Sequence, residues 1–262
     1  MSGVEAGLPG MDDAVRTAFR RLLLSLADSK RILGIRYSDW LLGAPSIEAG
    51  IAASSMAQDE WGHARLLYAS LKDFGDDPVA LEHDRQAAEY ASMEALDAPF
   101  DDWARVIAGA VVVDGALAVA LRAVAEGGYE PIEGRISKML GEEAFHRSLA
   151  EAWFRRLAGS EEGARRLKGA VEEWLAPTLR VLAPDDEGHR VLAAAGLTLP
   201  AAELRARLAE RVSPLLELLS VEMPEPLGLD DWDEGRGRGP GHPAEEAVER
   251  ARGDLNRALF VE

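Results

Sequence analysis

Residues 58–63 read Gln58-Asp59-Glu60-Trp61-Gly62-His63, and residues 141–146 read Gly141-Glu142-Glu143-Ala144-Phe145-His146. Each segment contains a Glu-x-x-His motif. Residues three apart share one face of an α-helix, so the glutamate and the histidine of each motif can reach a common point beside the helix. Two such motifs, with a carboxylate from each of two other helices, form the metal sites of carboxylate-bridged four-helix bundles. The spacing therefore favours a helical bundle with a metal site in its core.

Chance also produces this spacing in an acidic chain, because 46 of the 262 residues are Asp or Glu and five are His. The alternative interpretation is that the motifs form surface ion pairs. Asp186 and His189 have the same spacing, but they stand beside Pro184 and Gly188 and on no long apolar helix. We expect that pair to lie on the surface.

Outside the motifs, apolar residues recur every three or four positions and predict helices rather than strands. Four long helices are predicted over residues 12–43, 46–75, 102–121 and 131–157, and further helices over 161–182, 185–195, 200–219 and 243–259. Residues 76–102 are predicted as a connector with a helix over 85–96, residues 223–243 as an irregular loop and residues 1–11 as disordered. The whole chain, 1–262, is expected to form one all-α domain, a ferritin-like four-helix bundle with additional C-terminal helices.

Composition narrows the classes of partner and ligand. With 29 Lys+Arg against 46 Asp+Glu, the formal net charge is −17, which disfavours nucleic acid and anionic membranes as partners. The absence of cysteine excludes thiolate nucleophiles and iron–sulfur clusters and leaves carboxylates and imidazoles as metal ligands. No secretory signal and no charge-free membrane span is apparent, so a cytoplasmic protein is expected.

Two further charged residues lie within apolar surroundings. Asp114 follows Val111-Val112-Val113, where a buried carboxylate costs several kcal/mol (on the order of 2–7) unless it is paired or binds a metal. Lys30 is the only charged residue on the apolar stripe of the first helix. Its ammonium either extends to solvent or reaches the carboxylates of the other helices, and both interpretations remain open.

At these residues the sequence resembles the phenylacetic acid catabolic protein family, the ferritin-like subunits of the multicomponent phenylacetyl-CoA ring epoxidase. The catalytic subunits are similar at Trp40-x-x-x-Ala44-Pro45-Ser46, at residues 58–63, at Val113-Asp114-Gly115-Ala116 and at Glu142-Glu143-x-Phe145-His146. Residues 33–40 and the half of the chain after Trp153 are more similar to the structural subunits, which have lost their metal ligands. The chain combines features of both.

The resemblance implies a ligand set and two functions. The family's ligands for non-haem iron of the di-iron type fall on Glu60, His63, Asp114, Glu143, His146 and, in the connector, Glu89. A further ligand position of the family, a glutamate on the first helix, falls on Lys30, which would act electrostatically. Glu89 would be a ligand or a base. Four carboxylates against one ammonium would leave excess negative charge, so at least one metal ion is expected.

The first function is an oxygenase that acts on an aromatic acyl-CoA and receives electrons from a separate reductase. The alternative is a metal-poor structural subunit that scaffolds a catalytic homologue. A homologous ferritin-like subunit or a second copy of the chain is the expected protein partner. Iron storage or peroxide detoxification on the same fold is a third class, which predicts ferroxidase activity without a reductase.

Overall fold

The protein is all-α, as predicted, and forms a ferritin-like bundle in the computed structural model, which describes residues 11–254 and residue 259. Within those residues the only β pairing is an isolated bridge between Asp233 and Arg238. Nine α-helices are described: α1 Asp13–Ser38, α2 Ile47–Ser70, α3 Pro78–His83, α4 Trp103–Glu126, α5 Glu130–Ala158, α6 Glu161–Leu182, α7 Glu187–Ala194, α8 Ala201–Leu216 and α9 Glu245–Arg252.

The helix starts follow local capping chemistry. Ser46 accepts a hydrogen bond from the backbone of Ala49 at the start of α2, and Asp102 accepts one from Arg105 at the start of α4. A 3₁₀ turn extends α2 to Gly75, whose φ of 96° ends it in the left-handed region. The predicted beginnings of α2 and α4 are thus confirmed.

The first helix ends at Ser38, five residues before the predicted end. Residues 39–46 form turns instead. Pro45 disfavours helical backbone at the residue before it, and the Trp40 indole donates to the Phe100 carbonyl 3.1 Å away, which directs this segment towards the connector.

Helix α4 occupies the centre of the fold. It packs against α5, α6 and α8, while α1 packs mainly against α2. By length and composition α4 is apolar enough to cross a membrane, but 94% of its most apolar window is buried inside the protein, as in the core helix of a globular fold. The four long helices α1, α2, α4 and α5 therefore enclose a common core.

The helix predicted over residues 85–96 is wrong. The connector contains α3 and two 3₁₀ turns, Ala87–Glu89 and Glu94–Leu96. The backbone N–H groups of Ala91 and Met93 donate to the side chains of Asp28 and Ser29 on α1 rather than to carbonyls four residues earlier. Arg85 also donates two hydrogen bonds to the buried Asp28 carboxylate, so tertiary contacts determine the path of this segment.

Residues 223–243 are irregular, as predicted, and a buried arginine anchors them. Arg238 is fully buried and donates to both oxygens of Asp97 and to the Ser92 carbonyl. Of the last predicted helix, 243–259, the structure shows α9 over Glu245–Arg252, and residues 255–258 lie outside the described residues. Residues 1–10, predicted as disordered, lie outside the described residues.

The expectation that Asp186 and His189 lie on the surface is wrong, because both are buried. Asp186 caps α7 by accepting the His189 backbone N–H at 2.7 Å. Its carboxylate also lies 2.7 Å from Arg21 and accepts a hydrogen bond from Trp232. These partners come from distant parts of the chain, and they explain how a short polar helix packs inward.

Candidate metal centre

Each of the four bundle helices places a charged or imidazole side chain at one buried point. The residues are Lys30 on α1, Glu60 and His63 on α2, Asp114 on α4, and Glu143 and His146 on α5, and none is more than 3% exposed. Helical spacing explains the geometry, because each Glu-x-x-His pair lies on the inward face of its helix. The structure therefore brings together six of the seven residues predicted for the site.

The Lys30 ammonium lies at the middle of this cluster. It is 2.7 Å from Asp114 Oδ1 and 3.0 Å from each Glu60 oxygen, and it donates to Glu143 Oε1. The Tyr37 hydroxyl donates to the second Asp114 oxygen at 3.3 Å. The interpretation that Lys30 extends to solvent is therefore wrong, and its ammonium binds carboxylates from three other helices.

The two imidazoles are held by carboxylates of the opposite helix. His146 Nε2 lies 3.2 Å from Asp59 on α2, and His63 Nε2 lies 2.9 Å from Glu142 on α5. The other nitrogen of each ring faces the cluster: His146 Nδ1 is 3.3 Å from Glu60 and from Asp114. Carboxylates that orient imidazoles in this way surround many metal sites.

Asp59 and Glu142 were not predicted as site residues. The signal was present, because an acid directly precedes the motif glutamate in both Asp59-Glu60 and Glu142-Glu143. Their partners could not be read from the sequence, since each acid binds the histidine of the other motif and that pairing depends on how α2 and α5 face each other.

The charges of the cluster offset one another. Burial lowers the Lys30 pKa, but the carboxylates of Asp114, Glu143 and Glu60 outweigh burial and raise that pKa well above its ordinary value. Burial disfavours the His146 cation, yet hydrogen bonds to Asp114 and Glu60 raise its pKa to about 11. Burial raises the Glu60 pKa to about 7, whereas Lys30 and His146 overcome burial at Asp114 and lower its pKa.

Without metal, the cluster therefore contains two cations, Lys30 and His146, opposite the carboxylates of Glu60, Asp114 and Glu143. The predicted excess of four carboxylates over one ammonium is reduced, because two cations face three carboxylates and one negative charge remains unmatched. His146 supplies a positive charge that this prediction did not include, and one of the four predicted carboxylates, Glu89, lies elsewhere. The charge balance alone does not require a metal ion.

Glu89 is the predicted site residue that the structure does not bring to the cluster. It ends a 3₁₀ turn of the connector, its side chain is exposed, and its carboxylate accepts a hydrogen bond from the Gln86 backbone at 2.7 Å. The contacts of Asp28 and Ser29 hold the connector in this path. The prediction that Glu89 joins the cluster as a ligand or base is wrong.

The donor atoms that remain suit one cation better than two. Ligand atoms from four residues lie within 4.8 Å of one another: Glu60, Asp114, Glu143 and His146. Glu143 Oε2 is buried without a hydrogen bond. Glu60 Oε2 and His63 Nδ1 also make no hydrogen bond, but they lie 3.0 Å from the Lys30 ammonium and 3.4 Å from Glu143 Oε1, respectively. Buried polar atoms without partners indicate room for a cation or a water.

Substitution of Asp114 tests whether the cluster binds metal. We expect Asp114→Leu to weaken metal binding at least about 100-fold while the helical content stays near normal, because leucine suits apolar α4 and removes one ligand. Equilibrium dialysis with Fe²⁺ or Mn²⁺ and far-ultraviolet circular dichroism measure the two effects. Asp185→Leu, at a side chain that is 81% exposed, is the control. Unchanged metal affinity in the Asp114 variant would show that this carboxylate is only structural.

Comparison with known proteins gives two matches. A family model described as phenylacetic acid catabolic protein matches residues 5–247. The chain is also similar to one subunit of the 1,2-phenylacetyl-CoA epoxidase of Escherichia coli (strain K12). The two are 26% identical over 234 residues, which cover 87% of this chain and 75% of the relative.

Proposed function

Because the chain belongs to the phenylacetic acid catabolic protein family, we propose that it is a ferritin-like subunit of an oxygenase complex of the phenylacetyl-CoA epoxidase type. In this proposal Lys30 takes the place of a metal ion in the core. The family match confirms the resemblance found in the sequence. The relative's name describes one subunit of an epoxidase, which supports a function in association with other subunits.

The contacts of the Lys30 ammonium are the main observation that supports this proposal. A two-iron centre in such a bundle uses four carboxylates and two imidazoles, with one carboxylate from each of two helices and a Glu-x-x-His from each of the other two. Here α1 supplies an ammonium instead, and that ammonium binds the three carboxylates that remain. The residues present do not fit a two-iron centre.

The arrangement therefore favours the metal-poor structural subunit over the di-iron oxygenase. Lys30 and His146 perform electrostatically what metal ions do in a catalytic homologue, because they neutralise buried carboxylates and join the four helices. Such a subunit needs no reductase of its own and contributes a rigid surface to the complex. Ferroxidase-type iron storage is disfavoured on the same ground, since α1 supplies no carboxylate.

A second candidate is an enzyme with one iron, and the buried atom Glu143 Oε2, which has no hydrogen-bond partner, favours it. Glu60, Asp114, Glu143 and His146 would hold the ion beside Lys30. A bound iron would supply redox chemistry, and its electrons would come from a separate reductase because the chain has no cysteine for an iron–sulfur cluster.

Reconstitution separates the two candidates. The iron-loaded chain is assayed with phenylacetyl-CoA and a reductase, alone and with a family member that carries the full ligand set, and the mixture is analysed by size-exclusion chromatography. We expect a stable complex and no turnover by the chain alone. Turnover by the chain alone would replace the structural role with the one-iron enzyme. If neither a complex nor turnover is observed, both candidates are contradicted.

A further inference from the structure

Large apolar side chains are exposed on the outer side of α2 and α5. Phe145 on α5 is 78% exposed, and Ile47 on α2 is 81% exposed. Ile51 is exposed one turn further along α2, and Leu42 is exposed in the turn that precedes this helix. Exposed aromatic and aliphatic side chains that lie together are typical of a surface that another protein covers. These side chains therefore indicate an interaction surface on this side of the bundle.

The exposed residues form two adjacent stripes, which together are named the α2–α5 face. Members of each stripe recur every three or four residues and so lie on one side of their helix. Asp59 on α2 contacts His146 on α5. His63, later in α2, contacts Glu142, earlier in α5, so the two helices are antiparallel neighbours. The α2 stripe comprises Ile47, Ile51, Ser55, Gln58, Gly62, Arg65 and Ala69, and the α5 stripe comprises Gly134, Lys138, Gly141, Phe145, Ser148 and Ala152.

The α2–α5 face contains no acid, although 46 of the 262 residues of the chain are Asp or Glu and the net charge is −17. Asp59 and Glu142, which lie between the two stripes, are half-buried and bind imidazoles. Two copies of an acidic chain repel each other least where neither copy presents an exposed carboxylate. The charge distribution thus favours this face as a contact between two copies.

The two ends of the α2–α5 face differ in charge. Arg65 and Lys138 lie towards one end, beside Arg135, whereas Glu48 lies next to the isoleucines at the other end. From the helical rise, Arg135 is about 15 Å from Phe145, and Glu48 is about 18 Å from it in the opposite direction. A two-fold axis that crosses both helices at Phe145 therefore brings Arg135 of one copy near Glu48 of the other. An axis along the helices would bring the basic ends together.

The dimensions of the face suit a stable dimer. Residues 47–69 of α2 span about 33 Å, and two adjacent helices are about 20 Å wide. Such a face covers about 650 Å² in each copy, or roughly 1,300 Å² in total, which is within the range of specific, stable interfaces. We propose that two copies of the chain associate through their α2–α5 faces, with both Phe145 side chains near the two-fold axis. This association does not depend on the proposed function, because it rests only on the exposed residues of the face.

The second copy would also cover the groove above the candidate metal centre. Asp59 and Glu142, which bind the two imidazoles, are partly exposed in this groove. Ion pairs that are covered in this way are screened less by salt and reached less by water. The dimer would thereby complete the burial of the charged cluster.

Sedimentation velocity and light scattering of the purified chain, without any other family member and over a range of concentrations, test the dimer. We expect the parent to have twice the chain mass of 28.3 kDa. Phe145→Glu places a charge at the centre of the interface and should weaken the dimer about 100-fold or more. The control is Val79→Glu, which puts the same charge in place of an exposed apolar residue of α3. It should associate as the parent does.

A charge exchange tests how the two copies are arranged. Arg135→Glu should weaken the dimer about tenfold, since it brings carboxylates together at each end of the interface. Arg135→Glu combined with Glu48→Arg restores the opposite charges and the net charge of the parent, so it should recover most of that loss. Circular dichroism and thermal melting establish that each variant is folded.

The inference is overturned if the parent is a monomer at every concentration, or if Phe145→Glu dimerises as the parent does. A double variant that associates no better than Arg135→Glu would contradict the proposed two-fold arrangement. If the chain stays a monomer by itself but forms a complex with a family member that carries the full ligand set, this inference fails while the structural role stands.

Discussion

Lys30→Met is expected to destabilise the protein by about 3–5 kcal/mol, the usual cost of removing one partner from a buried ion pair. The substitution keeps most of the side-chain volume, but it leaves Glu60, Asp114 and Glu143 without the ammonium that each now binds. For a chain of this length the melting temperature should fall by roughly 10 °C. Urea and thermal unfolding of metal-free protein measure the loss.

Two comparisons connect this loss to the buried charges. Lys72→Met removes an exposed lysine from the turn after α2, and its stability should match that of the parent. Asp114→Leu combined with Lys30→Met should cost less than the sum of the single changes, because the two residues are in contact. If Lys30→Met has the same melting temperature as the parent, the ammonium does not stabilise the cluster.

Lys30→Glu is expected to increase iron binding from one ion or less to about two per chain, since it restores a carboxylate on α1 and removes the competing cation. Metal-free Lys30→Glu should be less stable than the parent, because a fourth buried carboxylate would join Glu60, Asp114 and Glu143. Added Fe²⁺ should raise its melting temperature more than that of the parent. Anaerobic iron titration with thermal melting measures both effects.

The control for this change is Lys72→Glu, which alters the net charge equally at an exposed position. It should bind no more iron than the parent. If Lys30→Glu also binds no more iron, position 30 is not a ligand position and the proposal that Lys30 replaces a metal ion fails.

The helices were predictable because their signals are local. Apolar periodicity and the caps at Ser46 and Asp102 depend on neighbours within a few residues, and the predicted starts of α2 and α4 hold. The connector was not predictable in the same way. Its backbone donates to Asp28 and Ser29, which are more than sixty residues earlier in the chain, and these contacts override the helical pattern of residues 85–96.

In the candidate site, too, some residues were predictable from local sequence, whereas the positions of others depend on tertiary structure. The Glu-x-x-His spacing predicted that Glu60, Glu143 and His146 face a common core, and the apolar surroundings of Asp114 predicted that its carboxylate is paired or binds a metal there. The structure brings these four residues together, because facing helices present fixed positions to that core. The direction of Lys30 was undecided, since a lysine on an apolar stripe turns outward or inward according to its depth in the bundle. The position of Glu89 depended on the path of the connector, for which the sequence carried no local signal.

Elemental analysis of the chain, expressed with iron supplied and purified without chelators, tests the central claim most directly. If Lys30 takes the place of a metal ion, the protein should contain no more than about one iron per chain, and the parent should stay folded after that iron is removed. Two irons per chain, lost only with unfolding, would contradict the account.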